Sequence, residues 1–286
     1  LYFRAQYSNG NSEKNIFKYY PKKISPFLKI FNRRNHRKIF VIDQKIAYVG
    51  SLNVMEPALK WKETTLRIEN SNDINLLMEI FECTWDWIEN DVSRFKSCDF
   101  RKIIFEVENS DHIRTTQTKV LRSHYRKDYL KRIDDAKERI WLVTPYFNPP
   151  RFLLKALVAA AERGVDVRLM VPNKTDPAWF SYLSRVYYSP LIKKGLKVYE
   201  YQEGILHSKT ALIDSVGIVG SGNLNYRSFY QDLELNMIVS EVSEIEALNN
   251  EFIKDMKLSK EITTKKQMKA WERAFGMFLM KFKTSF

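Results

Sequence analysis

Two stretches of this sequence repeat the same reactive side chains at nearly the same spacing. Around residue 36 the chain reads NHRKIFVIDQKIAYVGSLN, and around residue 207 it reads LHSKTALIDSVGIVGSGN. Each carries His-x-Lys, four residues, Asp, a short apolar run, and Gly-Ser-x-Asn. The first set is His36, Lys38, Asp43, Gly50, Ser51 and Asn53; the second is His207, Lys209, Asp214, Gly220, Ser221 and Asn223. Side chains two apart on a strand share a face, so each motif projects an imidazole and an ammonium together. Two such pairs facing one another surround one anionic group with two imidazoles and two cations. That constellation suits phosphodiester chemistry. One histidine can attack phosphorus and form a phosphohistidine. The other can protonate the leaving oxygen and then take the proton of an incoming alcohol or water. Lys38, Lys209 and the amides of Asn53 and Asn223 can hold the non-bridging oxygens, with the Ser51 and Ser221 hydroxyls as further donors. A nucleophilic histidine must be neutral and fixed in one tautomer, which a carboxylate behind it achieves. An acidic residue follows each motif, Glu63 and Glu234. The lysines supply the positive charge, so the scheme requires no metal or other cofactor. Asp43 and Asp214 complete the reactive set, although each also stands at a strand end before a turn, where a folding role serves equally well. A lone histidine would mean little; the weight rests on six matched positions occurring twice.

The flanks of the motifs repeat as well. A short strand-like piece precedes each (16–20 and 196–201). A strand (65–68 and 235–239) and a helix (74–88 and 244–256) follow each. The second half adds a strand over 139–146, a helix over 150–163 closed by Gly164, a strand over 165–171 and a helix over 177–194 closed by Gly195. Strands alternating with helices of this length give an α/β fold class. The expected organisation is a first half over 1–110, a second half over 111–260, and a basic amphipathic helix over 261–286. Only 35 residues precede His36, so the first half is expected to lack its front. The gap from Asp to Gly is one residue shorter in the second motif, which a tighter hairpin turn absorbs.

Over 286 residues, 47 basic side chains outweigh 34 acidic ones, a formal net charge of +13. Such an excess calls for an anionic partner: nucleic acid, an anionic lipid surface or a phosphate-bearing substrate. Cys83 and Cys98 are too few for a disulfide framework and read as reduced, packed thiols. No apolar run approaches the roughly 18 residues a membrane span needs; the chain begins at Leu1, which leaves an anchor ahead of it open. Met268, Trp271, Phe275, Phe278 and Phe282 recur at steps of three and four. Lys265, Lys266, Lys269, Arg273, Lys281 and Lys283 lie mostly off that face. The pattern fits an interfacial helix on anionic lipid, or a terminal helix docked by its aromatic stripe. A basic cluster from Lys22 to Arg34, with Phe27, Leu28, Ile30 and Phe31 interleaved, can guide a lipid headgroup, grip a nucleic-acid backbone or simply be a solvated loop. His112 and His124 belong to no repeated pattern and read as ordinary.

Paired His-x-Lys-x4-Asp motifs resemble the signature of the phospholipase D superfamily, and the resemblance spans roughly residues 15 to 258. It implies two α/β/α halves packed pseudo-symmetrically around one shared active site. Within that superfamily, Arg34-Asn35-His36-Arg37-Lys38, Thr144-Pro145-Tyr146-Phe147, Arg163-Gly164-Val165-Asp166-Val167, Tyr199-Glu200-Tyr201-Gln202, Leu206-His207-Ser208-Lys209 and Tyr226-Arg227-Ser228-Phe229 resemble bacterial cardiolipin synthases. The resemblance implies transfer of a phosphatidyl group between two phosphatidylglycerol molecules with release of glycerol, His36 as nucleophile and His207 as general acid. It also implies an anionic phospholipid and a membrane surface as partners, with nucleic acid the lesser candidate. The implied location is the cytoplasmic face of a bacterial inner membrane, reached peripherally or through an anchor outside this chain. The sequence departs from the family pattern in having Gly50-Ser51 where Gly-Gly is usual, and five residues rather than six between Asp214 and Gly220. Three other readings stand beside this one: a phospholipase D that hydrolyses phospholipid to phosphatidic acid, a nuclease of the same chemistry, and a non-enzymatic lipid-binding module.

Overall fold

The computed structural model describes residues 34–89, 98–263 and 268–282, together with two short paired strands, β1 (Tyr2–Phe3) and β2 (Ile16–Phe17). The expected strand residues 18–20, most of the basic cluster from Lys22 to Arg34, and Lys265, Lys266 and Lys283 lie outside the described residues.

The first motif folds as an antiparallel hairpin of β3 (Ile39–Ile42) and β4 (Ile46–Gly50), and β5 (Thr65–Ile68) adds to β4 as a third strand. Ala47, Val49 and Ile68 point inward from this sheet. They meet Ile74, Leu77 and Ile80 of α1 (Ser71–Glu89), where apolar residues at helical spacing build one buried stripe. Next comes α2 (Phe100–Asn109), capped by Asp99, whose carboxylate accepts from the amides of Arg101 and Lys102. Cys83 of α1 is bonded to Cys98 just ahead of α2, with 5.0 Å between their Cα atoms. This corrects the expectation of two reduced thiols. Helix pairing brings together residues whose sequence separation of 15 gives no hint of it.

The second half begins at β6 (Ile113–Thr115) and α3 (Lys119–Asp135). It continues through β7 (Arg139–Val143), α4 (Arg151–Glu162), β8 (Asp166–Pro172), α5 (Phe180–Arg185), α6 (Tyr188–Ile192) and β9 (Lys197–Tyr201). The second motif supplies β10 (Thr210–Ile213) and β11 (Val216–Gly220). Then follow α7 (Tyr226–Tyr230), β12 (Leu235–Val239), α8 (Val242–Lys257), β13 (Ser259–Ile262) and α9 (Ala270–Met280). Eight strands form one sheet in the order β13-β9-β8-β7-β10-β11-β12-β6. Within it β7, β8 and β9 run parallel, and parallel neighbours require crossovers, here made by the helices between them. The single helix expected over 177–194 is two, α5 and α6. Pro190 has no amide to offer the carbonyl four residues back, and its ring crowds it. Gly164 and Gly195, both at φ +93°, end α4 and α6 in the left-handed conformation that glycine adopts freely.

The shorter second motif has the tighter turn. Ile42 and Ile46 face each other across a three-residue turn, whereas Ile213 and Val216 are joined by two residues, Asp214 and Ser215. The two sheets share a core in which Val49, Ile68 and Leu77 pack with Ile113, Leu121, Leu235 and Met237. The His-x-Lys ends of both hairpins therefore come to one seam. Among the described residues no helix is long and apolar enough to cross a membrane.

Candidate active site

Each histidine segment is tied by its backbone to the other half of the chain. The His36 amide donates to the Leu233 carbonyl (2.9 Å), and the Leu233 amide donates back to Arg34 (2.8 Å). The His207 amide donates to the Lys62 carbonyl (2.8 Å), and the Lys62 amide to Ile205 (2.9 Å). These two parallel bridges, Asn35 with Leu233 and Lys62 with Leu206, are counterparts. Each places the acidic residue of one half behind the histidine of the other. His207 Nδ1 lies 2.7 Å from Glu63 Oε1. His36 Nδ1 lies 3.2 Å from Glu234 Oε2 and 3.1 Å from the Ser221 carbonyl. Carboxylates and carbonyls only accept, so both Nδ1 atoms carry the proton and both Nε2 atoms present a lone pair.

The lysines complete the seam. Lys38 and Lys209 each donate from Nζ to the carbonyl of the histidine two residues before, both at 2.7 Å. Lys209 Nζ also stands 3.1 Å from His207 Nε2. His36 Nε2 has no such partner among the described residues. Burial depresses these cations: the Lys38 pKa falls to about 8, and that of Lys209 falls well below its ordinary value, first through burial and then through Lys38. Burial and Lys209 bring His207 down to about 4. His36 is likewise lowered, by burial and then Lys38. Glu234 is fully buried. Burial pushes its pKa up, but His36, Lys38 and the Ser221 hydroxyl together bring it below the usual carboxylate range.

Glycine and serine in the motifs serve this arrangement from behind. A Cβ on Gly50 would overlap the Thr64 carbonyl, and one on Gly220 the Leu235 carbonyl and Asn236. Only glycine lets the segment carrying each glutamate lie this close. Ser51 then exchanges hydrogen bonds with Thr64: its amide and its hydroxyl both donate to the Thr64 carbonyl (2.9 and 3.1 Å), and the Thr64 amide donates to its Oγ (2.9 Å). The Ser221 amide likewise donates to the Leu235 carbonyl and the Leu235 amide to Ser221 Oγ (both 3.0 Å), but its hydroxyl proton goes to Glu234 Oε2 (2.6 Å). Both serine hydroxyls are thus occupied within the protein rather than turned to a phosphate. Asn53 lines a cavity with His36 and Lys38. Asn223 is buried, donates its backbone amide to Ser228 Oγ (3.1 Å), and leaves Oδ1 without a partner among the described residues.

Asp43 and Asp214 are not brought to the pairs. They sit in the turns at the far ends of β3 and β10, both at positive φ (51° and 50°), about 17 Å along the strand from the lysines. The Asp214 carboxylate accepts from the amides of Lys137, Glu138 and Arg139 at 2.8–2.9 Å, which fastens the hairpin to the start of β7.

Sequence patterns did not single out several supporting groups. Ser228 Oγ donates to the second oxygen of Glu234 (2.6 Å), so that carboxylate is held by two hydroxyls. Arg227 pairs with Asp232 (2.6 Å), whose carboxylate also accepts the Arg34 amide. Trp61 and Tyr146 flank His207, with ring centroids 4.9 and 6.2 Å from it. Arg227, Ser228 and Tyr146 belong to segments on which the family resemblance rests; Trp61 is signalled only by its neighbour Glu63. His112 pairs with Asp73 at 2.8 Å, apart from this seam.

The description "Cardiolipin synthase, PLD-like domain" belongs to a family whose sequence model matches residues 5–85 and 129–256. The chain belongs to this family. A probable cardiolipin synthase of Bacillus subtilis, YwiE, is 34% identical over 257 residues, covering 87% of this chain and 51% of that protein. Cardiolipin synthase 2 of Staphylococcus epidermidis is 34% identical over 266 residues, covering 88% of this chain and 53% of that one. The chain therefore spans about half the length of these relatives. Among solved structures, the phosphatidylserine synthase of Haemophilus influenzae superposes with a TM-score of 0.64 at 15% identity, over 89% of this chain and 69% of that one. At that identity the likeness is one of fold, and it agrees with the mixed α/β architecture.

Proposed function

We propose that this chain carries the phosphatidyl-transfer site of a cardiolipin-synthase-type enzyme, with halves meeting near residue 110 and two phosphatidylglycerol molecules as substrates. The observation that carries the reading is the crossed pair of carboxylate–histidine contacts, which presents two Nε2 lone pairs beside two buried lysines. His36 is the nucleophile in this scheme, because its Nε2 is open whereas Lys209 occupies that of His207. His36 Nε2 attacks phosphorus and the bond from phosphorus to the glycerol oxygen breaks. The departing oxygen takes a proton from His207. Entry of the phosphodiester anion offsets the charge of Lys38 and Lys209 and raises the His207 pKa from about 4, so the imidazole can carry that proton. In the second half-reaction His207 takes the hydroxyl proton of a second phosphatidylglycerol. Its oxygen attacks phosphorus and the bond to His36 breaks, leaving cardiolipin. Lys38, Lys209 and the Asn53 and Asn223 amides stabilise the oxygens on phosphorus.

The membrane surface belongs to this reading. In α9, Trp271 and Phe275 touch Tyr182 at their edges, yet Trp271, Met277 and Phe278 are each more than half exposed. The buried contacts of the helix are Gly276 and Leu279. We take the exposed aromatic face, with Lys269, Arg273 and Lys281 beside it, as the surface that meets anionic lipid. The testing experiment is incubation of the chain with phosphatidylglycerol vesicles and mass spectrometry of the lipids. Cardiolipin with released glycerol is the expected outcome. Phosphatidic acid alone would replace transfer with hydrolysis, and unchanged lipid would overturn the reading.

A further inference from the structure

The two halves match closely at their histidines, lysines and glutamates, but part company immediately after the motif asparagine. In the second half, Leu224 follows Asn223 into the core, 4% exposed. Its amide donates to Thr144 Oγ1 and its carbonyl accepts from Asn148. Asn225 then caps α7. In the first half the same position begins a loop that runs over the surface. Val54 and Met55 are 57% and 48% exposed, and Leu59, one turn on, is 73% exposed. A cavity of about 290 Å³ opens beneath this loop. His36, Lys38 and Asn53 line it together with Asn35, Arg37 and Thr84; Phe40, Leu52 and Phe81 supply its apolar wall, and Val54 and Met55 its rim.

Catalytic polarity and apolar wall thus share one chamber on the His36 side. The His207 side is flanked instead by the rings of Trp61 and Tyr146. In-line displacement sends the leaving alcohol away from the attacking nitrogen, while everything else on phosphorus remains beside the nucleophile. We infer that this chamber is the subsite for the diacylglycerol arm of the donor phospholipid, and that Trp61 and Tyr146 wall the separate place of the departing and incoming alcohol. The inference rests on the proposed phosphatidyl transfer and deepens it. Whole drug-sized ligands occupy roughly 300–1,000 Å³, so this chamber takes the glycerol backbone and the first methylenes of the chains. The remainder of each chain leaves past Val54 and Met55, whose exposed side chains continue the apolar surface outward. Exposure of apolar residues at the mouth of a polar site is the expected form of an entry from a lipid phase.

The test uses the full chain with monomeric phosphatidylglycerols of increasing chain length, kept below micelle formation, and with bis(4-nitrophenyl) phosphate as a phosphodiester without chains. A desolvated methylene is worth about fourfold in kcat/KM. The expected result is a rise of that order per carbon over the first few methylenes, then a plateau. In Val54→Ser/Met55→Ser, two exposed positions where folding is not at stake, the rise should flatten. The ratio of lipid to nitrophenyl-ester kcat/KM should fall at least tenfold. A flat series for the unaltered chain, or a series with the same slope in the variant, overturns the subsite while leaving phosphatidyl transfer in place. Cleavage of the nitrophenyl ester with no turnover of any phosphatidylglycerol overturns the lipid reading and the subsite together.

Discussion

Glu234 is held from three sides: Ser221 and Ser228 each donate a hydroxyl proton to one of its oxygens at 2.6 Å, and His36 Nδ1 meets it at 3.2 Å. A buried carboxylate fixed in this way keeps the histidine proton on Nδ1 and the lone pair on Nε2. Glu234→Gln keeps the shape but can turn its amide nitrogen toward Nδ1, which favours the other tautomer. We expect kcat to fall on the order of 10²–10⁴-fold with KM little changed, measured in single turnover so that chemistry is seen apart from lipid exchange. A loss confined to KM would place Glu234 in binding instead. Lys38 gives a second residue-scale expectation. With its pKa near 8, the ammonium that meets an oxyanion disappears as pH rises past that value. Tungstate affinity should be level below pH 8 and fall about tenfold per unit above it. Lys38→Met should bind more weakly at pH 7 and lose the break. The check is inhibition measured from pH 6.5 to 9.5; a break retained in the variant would assign it to another group.

At the scale of elements, the close approach of β4 to β5 and of β11 to β12 decides whether the glutamates reach their histidines. Gly220→Ala puts a Cβ into the Leu235 carbonyl and Asn236, both fixed in the sheet. Overpacking of this kind costs about 1–3 kcal/mol. It also shifts the segment bearing Glu234, so thermal unfolding should move down and activity should fall by more than the loss of folded protein explains. Much of this scaffold is readable from the chain. The strands over 65–68 and 235–239 appear at those residues because each stands between a motif and a helix with its own apolar period. The helix expected over 177–194 divides in two because Pro190 falls within an otherwise helical pattern. The pairing of Cys83 with Cys98 depends on how two helices meet, which sequence spacing does not register. The site divides in the same way. Histidines, lysines and glutamates stand out through repetition. That Glu63 serves His207 and Glu234 serves His36 does not, because the crossing exists only once the halves face each other. By type Ser51 and Ser221 are phosphate donors; the Thr64 carbonyl and the Glu234 carboxylate that occupy their hydroxyls lie 13 residues on.

For the whole molecule, the question is how a site buried at a seam would meet the phospholipid proposed as its substrate. A chain of contacts runs from the site to α9. The Tyr146 ring lies 6.2 Å from His207 and 4.9 Å from Phe180. Phe180 and Leu183 of α5 then pack on Leu279 of α9. The helix is therefore anchored to the wall of the site by Leu279, and by Gly276 where a side chain would strike the Tyr182 carbonyl. Phe278 and the exposed part of Trp271 are left for another surface. Burying such a ring in an interface is worth about 1.5–3 kcal/mol, and each cation near an anionic surface adds about 1 kcal/mol that salt screens. Trp271→Ala/Phe278→Ala should therefore lower partitioning onto phosphatidylglycerol vesicles at least tenfold. It should lower thermal stability only slightly, because Gly276 and Leu279 are untouched and Trp271 gives up one half-exposed contact with Tyr182. Raising the salt concentration should weaken the binding of the unaltered chain, and vesicles of neutral lipid should bind it less. Sedimentation with vesicles reads all three. If the double variant partitions as the unaltered chain does, α9 is a docked terminal helix whose exposed rings meet something other than lipid.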